Sequence, residues 1–287
     1  MTKLKFSVFT VGTPDFTIPE TIAKLKEWGY DGVEWRVAEG PPHNPVPLPP
    51  RESWYWTYNQ STINIENVKE EIKRAKTLCD QAELEICCLT TYLQPNEFEQ
   101  IEQVLNAASS VQCPRIRVMP PNFTGKENYN KLFFQTQQHI VTLEELAQKY
   151  GVKIVFEIHM GNIIPSASAA YRLVSPFDSN AVGIIFDPGN MVHEGYEEYE
   201  LGVQLLGPYL DHVHIKDARP VYSQTNGKGK WDIQWCPIGE GMVRFKKLIE
   251  TLKASNYTGY LSFEDFSNEH DSTYKLEHNI HYLKSLL

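Results

Sequence analysis

The sequence predicts an α/β protein folded as a (β/α)8 TIM barrel, one domain over residues 1–287. Two observations predict it. Apolar, β-branched runs alternate eight times with segments of helical period, the pattern of right-handed βαβ units sharing one parallel sheet. The last four of those runs also end in a carboxylate or a histidine: Phe156-Glu157-Ile158-His159, Phe186-Asp187, His212-Val213-His214 and Ser262-Phe263-Glu264. A barrel puts its functional side chains at the carboxyl ends of its strands. The competing arrangement is a doubly wound open sheet, but no Gly-x-Gly-x-x-Gly follows the first strand and no segment reads as a linker.

The expected strands run over residues 4–10, 31–36, 85–91, 115–119, 152–159, 182–187, 210–217 and 259–264. Helical spacing lies between them. Pro19 opens a helix that Gly29 stops, and further helices are expected over 65–82, 96–109 and 127–150, the last ended by Gly151. The second half continues with helices over 167–174, 197–206, 243–255 and 272–287. Residues 218–242, with Gly227, Gly229, Gly239 and Gly241, read as a long loop after strand seven. The proline-rich stretch 40–50 reads as a loop over the barrel mouth, beside an aromatic group of Trp54, Tyr55, Trp56 and Tyr58.

With 41% apolar residues among 287, the chain can bury a large core. A net charge of -9 argues against a nucleic-acid partner, because polyanion binding rests on clustered Lys and Arg. No apolar run approaches the roughly 20 residues of a membrane helix. The opening segment shows no signal-peptide pattern, so a cytoplasmic location is expected. The five cysteines have no metal-ligand spacing and read as reduced, mostly buried thiols.

Glu157, Asp187, His214 and Glu264 would meet at one mouth, since four consecutive strands deliver them. Alternation along a strand selects the atoms: His212, His214 and Lys216 share a face, while Asp217 points the other way. Asp265 likewise opposes Glu264. Three carboxylates and one imidazole suit Mn2+, Mg2+, Co2+ or Zn2+ with positions left for substrate oxygens. Other charges on barrel strands, Arg117, Glu34 and Arg36, are further site candidates. Lys216 is a candidate for a substrate oxyanion and Arg219 for a substrate hydroxyl or carboxylate. His159 is a candidate for donating to substrate or holding Glu157, and Tyr92, Trp54 and Trp56 for an apolar wall.

The runs Glu-Ile-His, Asp-Pro-Gly-Asn, His-Val-His-Ile-Lys-Asp, Pro-Ile-Gly-Glu-Gly and Gly-Tyr-Leu-Ser-Phe-Glu-Asp, from Val152 onward, resemble the xylose isomerase-like TIM barrels of the sugar phosphate isomerase/epimerase superfamily. The resemblance implies one divalent metal held by Glu157, Asp187, His214 and Glu264, a sugar or polyol substrate, and Glu157 and Glu264 as the residues that move a proton. Related barrels often form dimers or tetramers, so the resemblance leaves both a monomer and a homo-oligomer open for this chain. Epimerases of this kind often carry a histidine three residues after the metal aspartate, where this chain has Asn190. Asn190 is therefore a further substrate-site candidate, and His159 two residues after Glu157, together with the Asp-Pro-Gly-Asn turn, looks closer to the generic or dehydratase-like branches. The expected activity is a sugar isomerase or epimerase working through an enediolate formed by loss of a proton beside a carbonyl, with a metal-dependent dehydratase of the inosose or 3-dehydroshikimate type as the alternative. An endonuclease IV-like nuclease and a non-catalytic sugar-binding barrel are the other classes. Missing histidines on strands two and three argue against the first, and the intact ligand set argues against the second.

Overall fold

In a computed structural model, which describes residues 4–42, 54–225 and 228–287, eight parallel strands close into a barrel. They are β1 (Lys5–Phe9), β2 (Gly32–Ala38), β4 (Glu85–Thr90), β5 (Arg115–Val118), β6 (Lys153–Glu157), β7 (Val182–Phe186), β8 (Leu210–Ile215) and β11 (Tyr260–Phe263), with the two-residue strand β3 (Ile63–Asn64) added at the rim beside β2. Closure comes from β1, which pairs with β11 on one side and β2 on the other. Helices α1 (Ile18–Trp28), α3 (Val68–Gln81), α4 (Phe98–Ser110), α5 (Tyr129–Tyr150), α6 (Ala167–Val174), α8 (Tyr199–Leu206), α9 (Phe245–Ala254) and α10 (Ser272–Ser285) lie between the strands in sequence.

Local chemistry sets these boundaries. At the start of α1 the Thr17 hydroxyl accepts from Glu20 N while the Glu20 carboxylate accepts from Thr17 N, a reciprocal cap that satisfies two otherwise free donors. Gly29 ends the helix at φ 72°, a left-handed conformation that glycine adopts without steric cost. Strands buried on both faces, such as Val-Gly-Ile-Ile-Phe in β7, form the wall between the helices and the barrel interior.

Three features differ from the sequence reading. Residues 218–242 are not all loop: β9 (Ala218–Thr225) and β10 (Lys228–Trp235) form an antiparallel hairpin, with Ala218 opposite Trp235. Most of β10 is exposed, so there is no buried face to print an alternating pattern on the sequence. Two short helices were also not expected, α2 (Trp54–Thr57) and α7 (Pro188–His193). The proposed mouth loop falls largely on residues 43–50, and Gly227 and the first three residues of the chain also lie outside the described residues. All five cysteines are buried and unpaired. None of the described helices is long and apolar enough to cross a membrane.

Candidate metal centre

Four ligand-type side chains converge where β6, β7, β8 and β11 end. One atom each of Glu157, Asp187, His214 and Glu264 lies within 4.8 Å of the others, and all four residues are buried. Glu157 closes β6. Asp187 follows β7 and caps α7, its Oδ1 accepting from Asn190 N at 2.9 Å. Pro188 sits just inside that helix, where its missing N–H costs nothing. Gly189 lets α7 lie against β8: a Cβ there would stand 2.7 Å from both the Cβ and the carbonyl oxygen of Lys216.

His214 turns Nδ1 toward the acids, 3.2 Å from Glu157 Oε1 and 3.7 Å from both Asp187 Oδ2 and Glu264 Oε2. Its Nε2 meets Glu34 Oε1 at 3.1 Å. A carboxylate on Nε2 keeps the proton there and leaves the Nδ1 lone pair for a cation, as metal-bound imidazoles are commonly held. Burial disfavours the charged ring, but Glu34 and Glu157 outweigh it and push His214 well above its ordinary value. A cation entering the quartet would displace that proton. The donor set of one imidazole and three carboxylates fits a divalent ion with hard or borderline ligand preference.

The two glutamates have different surroundings. Glu157 Oε2 receives Arg117, and Oε1 accepts from Asn190 Nδ2 at 2.9 Å. Burial raises the Glu157 carboxyl, yet Arg117 and His214 override it and hold the group well below the usual carboxylate range. Arg117 is itself fixed, donating from Nε and Nη2 to Thr91 O at 3.2 and 3.1 Å, with its guanidinium over Phe9 and Tyr92. Glu264 forms an ion pair with Lys216, and its Oε2 lies 3.7 Å from His214 Nδ1. Burial pushes the Glu264 carboxyl up to about 7, with Lys216 opposing and Glu157 adding to the rise.

Lys216 is buried, with Nζ against Glu264, 3.1 Å from Asp187 Oδ2 and 3.2 Å from Asn190 Oδ1. Asn190 Nδ2 also reaches Asp187 Oδ2 at 2.9 Å, so this amide bridges two of the three acids of the quartet. His159 stands at the rim, its Nδ1 2.7 Å from Met160 O, and burial lowers its pKa. Tyr92 lies under the Arg36 and Arg117 guanidiniums and edge-on to Trp56.

Two expected substrate contacts lie elsewhere. Glu34 is fully buried beneath the quartet, across the barrel interior from β8, with His212 Nε2 at 2.8 Å and Thr90 on its other oxygen. It supports histidines and does not face the mouth. Arg219, at the base of the hairpin, is drawn off to Glu240 at 3.2 Å and Glu269 at 2.9 Å, both at the surface. The structure also adds Trp235 and Phe266, which the sequence reading passed over. Trp235 and Phe266 lie 5.0 and 5.1 Å from Lys216 Nζ, and His193 packs on Trp235 with ring centres 4.3 Å apart. Trp235 escaped notice because residues 218–242 read as loop. Asp217 and Asp265 serve the scaffold: Asp217 accepts from the N–H groups of Gly239, Gly241 and Val243, and Asp265 from Asn279 Nδ2.

Fold and centre together define a class of barrels with a carboxylate–histidine cluster at the mouth. The chain belongs to the xylose isomerase-like TIM barrel family, whose sequence model matches residues 22–286. Among curated relatives it is 31% identical over 155 residues to an inosose dehydratase of Clostridium botulinum (strain Alaska E43 / Type E3), covering 50% of this chain and 51% of that protein. In that match and its nearest counterparts the chain spans about half the length of the relative. A longer match, 25% identical over 268 residues, covers 86% of this chain and 82% of an inosose dehydratase of Bacillus thuringiensis (strain Al Hakam). Among solved structures, the apo form of 3-keto-D-glucoside 4-epimerase YcjR from E. coli superposes with a TM-score of 0.73 at 20% identity, over 99% of this chain and 100% of that one. The IOLI protein with a zinc atom gives 0.69 at 16% identity, over 99% and 96%. At these identities the two structures speak for the fold alone.

Proposed function

We propose that the chain is a divalent-metal-dependent enzyme that removes a proton beside the carbonyl of a keto-polyol or keto-sugar, and that its outcome is loss of water. The observation that carries the chemistry is the buried convergence of Glu157, Asp187, His214 and Glu264. The name inosose dehydratase, carried by the relatives reported above, one of which matches 86% of this chain, supports the lyase outcome. When bound, a divalent cation would supply Lewis acidity toward a substrate carbonyl and lower the cost of the anion left when the proton departs.

The residues of the chain supply the rest. Asp187 and His214 would hold the cation, His214 oriented by Glu34. Glu157 and Glu264 are the carboxylates able to hold the metal and to take a proton. Lys216 offers an ammonium to a developing oxyanion. Trp235, Phe266, Trp56 and Tyr92 form an aromatic wall on which the apolar face of a polyol ring would rest. Epimerisation or aldose–ketose isomerisation is the second reading, favoured by the presence of two glutamates in one quartet.

The test is direct. Protein stripped with chelator and reloaded with Mn2+ is incubated in D2O with inososes, 3-keto-glucosides and ketohexoses, and followed by NMR. The proposal expects Mn2+-dependent deuterium uptake and an unsaturated or dicarbonyl product from a keto-polyol. An epimer as sole product would favour the second reading, and no uptake from any probe would end both.

A further inference from the structure

The two glutamates are not equivalent, and their hydrogen bonds differ in kind. Both oxygens of Glu157 are engaged: Oε2 by Arg117, Oε1 by Asn190 Nδ2 at 2.9 Å. Neither donor is free to move away. Arg117 is anchored on Thr91 O through Nε and Nη2. Asn190 Nδ2 also bonds Ile158 O at 3.1 Å and Asp187 Oδ2 at 2.9 Å. With one lone pair given to a cation, three of the roughly four lone-pair sites of Glu157 are taken and its position is set from both oxygens. No guanidinium or amide donates to the Glu264 carboxylate among the described residues; its ion-pair partner is Lys216, on a flexible stem.

We infer that Glu157 is a fixed ligand, clamped by Arg117 and Asn190, and that Glu264 alone carries the proton. The inference rests on the enolising function proposed above and narrows it to a one-base site. In its reaction the α C–H bond breaks and the proton goes to Glu264, while the electron pair passes to the carbonyl oxygen as an enolate. The enolate then collapses, a C=C bond forms, and the β C–O bond breaks. The hydroxyl leaves as water with the proton returned from Glu264, so atoms and charge balance and no second base is called for. Epimerisation would need a second proton carrier on the opposite face, a role the clamp denies to Glu157. Arg117 acts through Glu157 and is a positioning residue.

Glu157→Gln and Glu264→Gln would be compared at saturating Mn2+, with bound Mn2+ read in the same samples by electron paramagnetic resonance. The inference expects Glu157→Gln to bind Mn2+ more weakly by at least the roughly 10–100-fold that loss of an outer-shell partner costs, and once loaded to lose clearly less deuterium exchange than Glu264→Gln. Glu264→Gln should lose exchange by about 10²–10⁴-fold with Mn2+ bound. Loaded Glu157→Gln losing as much as Glu264→Gln would overturn it. Arg117→Met should weaken Mn2+ binding, and Arg117→Lys should recover part of the loss; unchanged affinity in Arg117→Met would remove Arg117 from the clamp. The wild type gives an arm independent of any variant. Substrate recovered from D2O should carry deuterium with retained configuration only, and an epimer formed as fast as the label enters overturns the inference. Neither label nor dehydrated product from any probe in the wild type overturns the proposed function, and this inference with it.

Discussion

His214 and Glu34 link the mouth of the barrel to its interior: His214 Nδ1 faces the three acids of the quartet while Nε2 meets Glu34 Oε1 at 3.1 Å. Glu34 also takes His212, so one buried carboxylate orients two imidazoles from a strand across the barrel. Glu34→Gln would remove the charge that fixes the proton on Nε2. The expected outcome is a folded protein whose Mn2+ affinity falls about 10–100-fold. Calorimetric titration of chelator-stripped protein measures it, and wild-type affinity would show that Glu34 does not set the tautomer of His214.

Gly189 is where a side chain does not fit. A Cβ would lie 2.7 Å from Lys216 Cβ and from Lys216 O, and 2.8 Å from Lys216 C. The obstruction is mostly backbone, so α7 must move off β8 in Gly189→Ala. That movement carries Asp187 and Asn190 away from Glu157. Overpacking of this kind costs about 1–3 kcal/mol. Gly189→Ala should therefore melt several degrees lower and bind Mn2+ more weakly. A variant with wild-type melting and affinity would mean the helix yields freely.

Lys216 places an ammonium among Asp187, Glu264 and Asn190, and it is buried. Removing it in Lys216→Met leaves three carboxylates with less compensation, and breaking a buried ion pair costs about 3–5 kcal/mol. A bound divalent cation supplies the missing charge. The metal-free variant should lose more stability than the loaded one, so adding Mn2+ should raise its melting temperature by more than it raises the wild type's. An equal or smaller rise would show that Lys216 does not compensate the quartet.

Much of this was legible in the sequence, for reasons that also explain what was not. The eight strands are buried on both faces and print unbroken apolar runs, so an acid or histidine closing one stands out, and Glu157, Asp187, His214 and Glu264 could be singled out. Alternation separated His214 from Asp217, which instead holds Gly239 and Gly241. The hairpin was illegible because β10 is mostly exposed and carries no burial period. The place of Glu34 was illegible because it depends on a contact across the barrel between β2 and β8, which are not neighbours in the sheet. The clamp on Glu157 likewise depends on side-chain directions from two other elements, which no spacing encodes.

At the opposite end of the barrel, Asp211 on β8 bridges Arg115 on β5 and Lys153 on β6, the latter at 2.6 Å, in a largely buried group. Arg115 also donates to Cys87 O at 2.7 Å, tying β4 into the same network. Burial raises the Asp211 carboxyl, but Arg115 and Lys153 outweigh it, and the folded-state value lies below the ordinary one. A carboxyl depressed on folding contributes stability above its unfolded value of about 3.9, and that contribution is lost as pH falls through the lower folded value. Asp211→Asn leaves Arg115 buried without its partner and should cost about 3–5 kcal/mol at neutral pH. Below about pH 4 the unfolded wild-type chain takes up that proton while the folded group still resists it, so the gap between the two proteins should begin to shrink there. Urea unfolding of both at pH 7 and in mild acid measures the gap. A difference that stays constant across that range would mean Asp211 does not carry the acid sensitivity assigned to it.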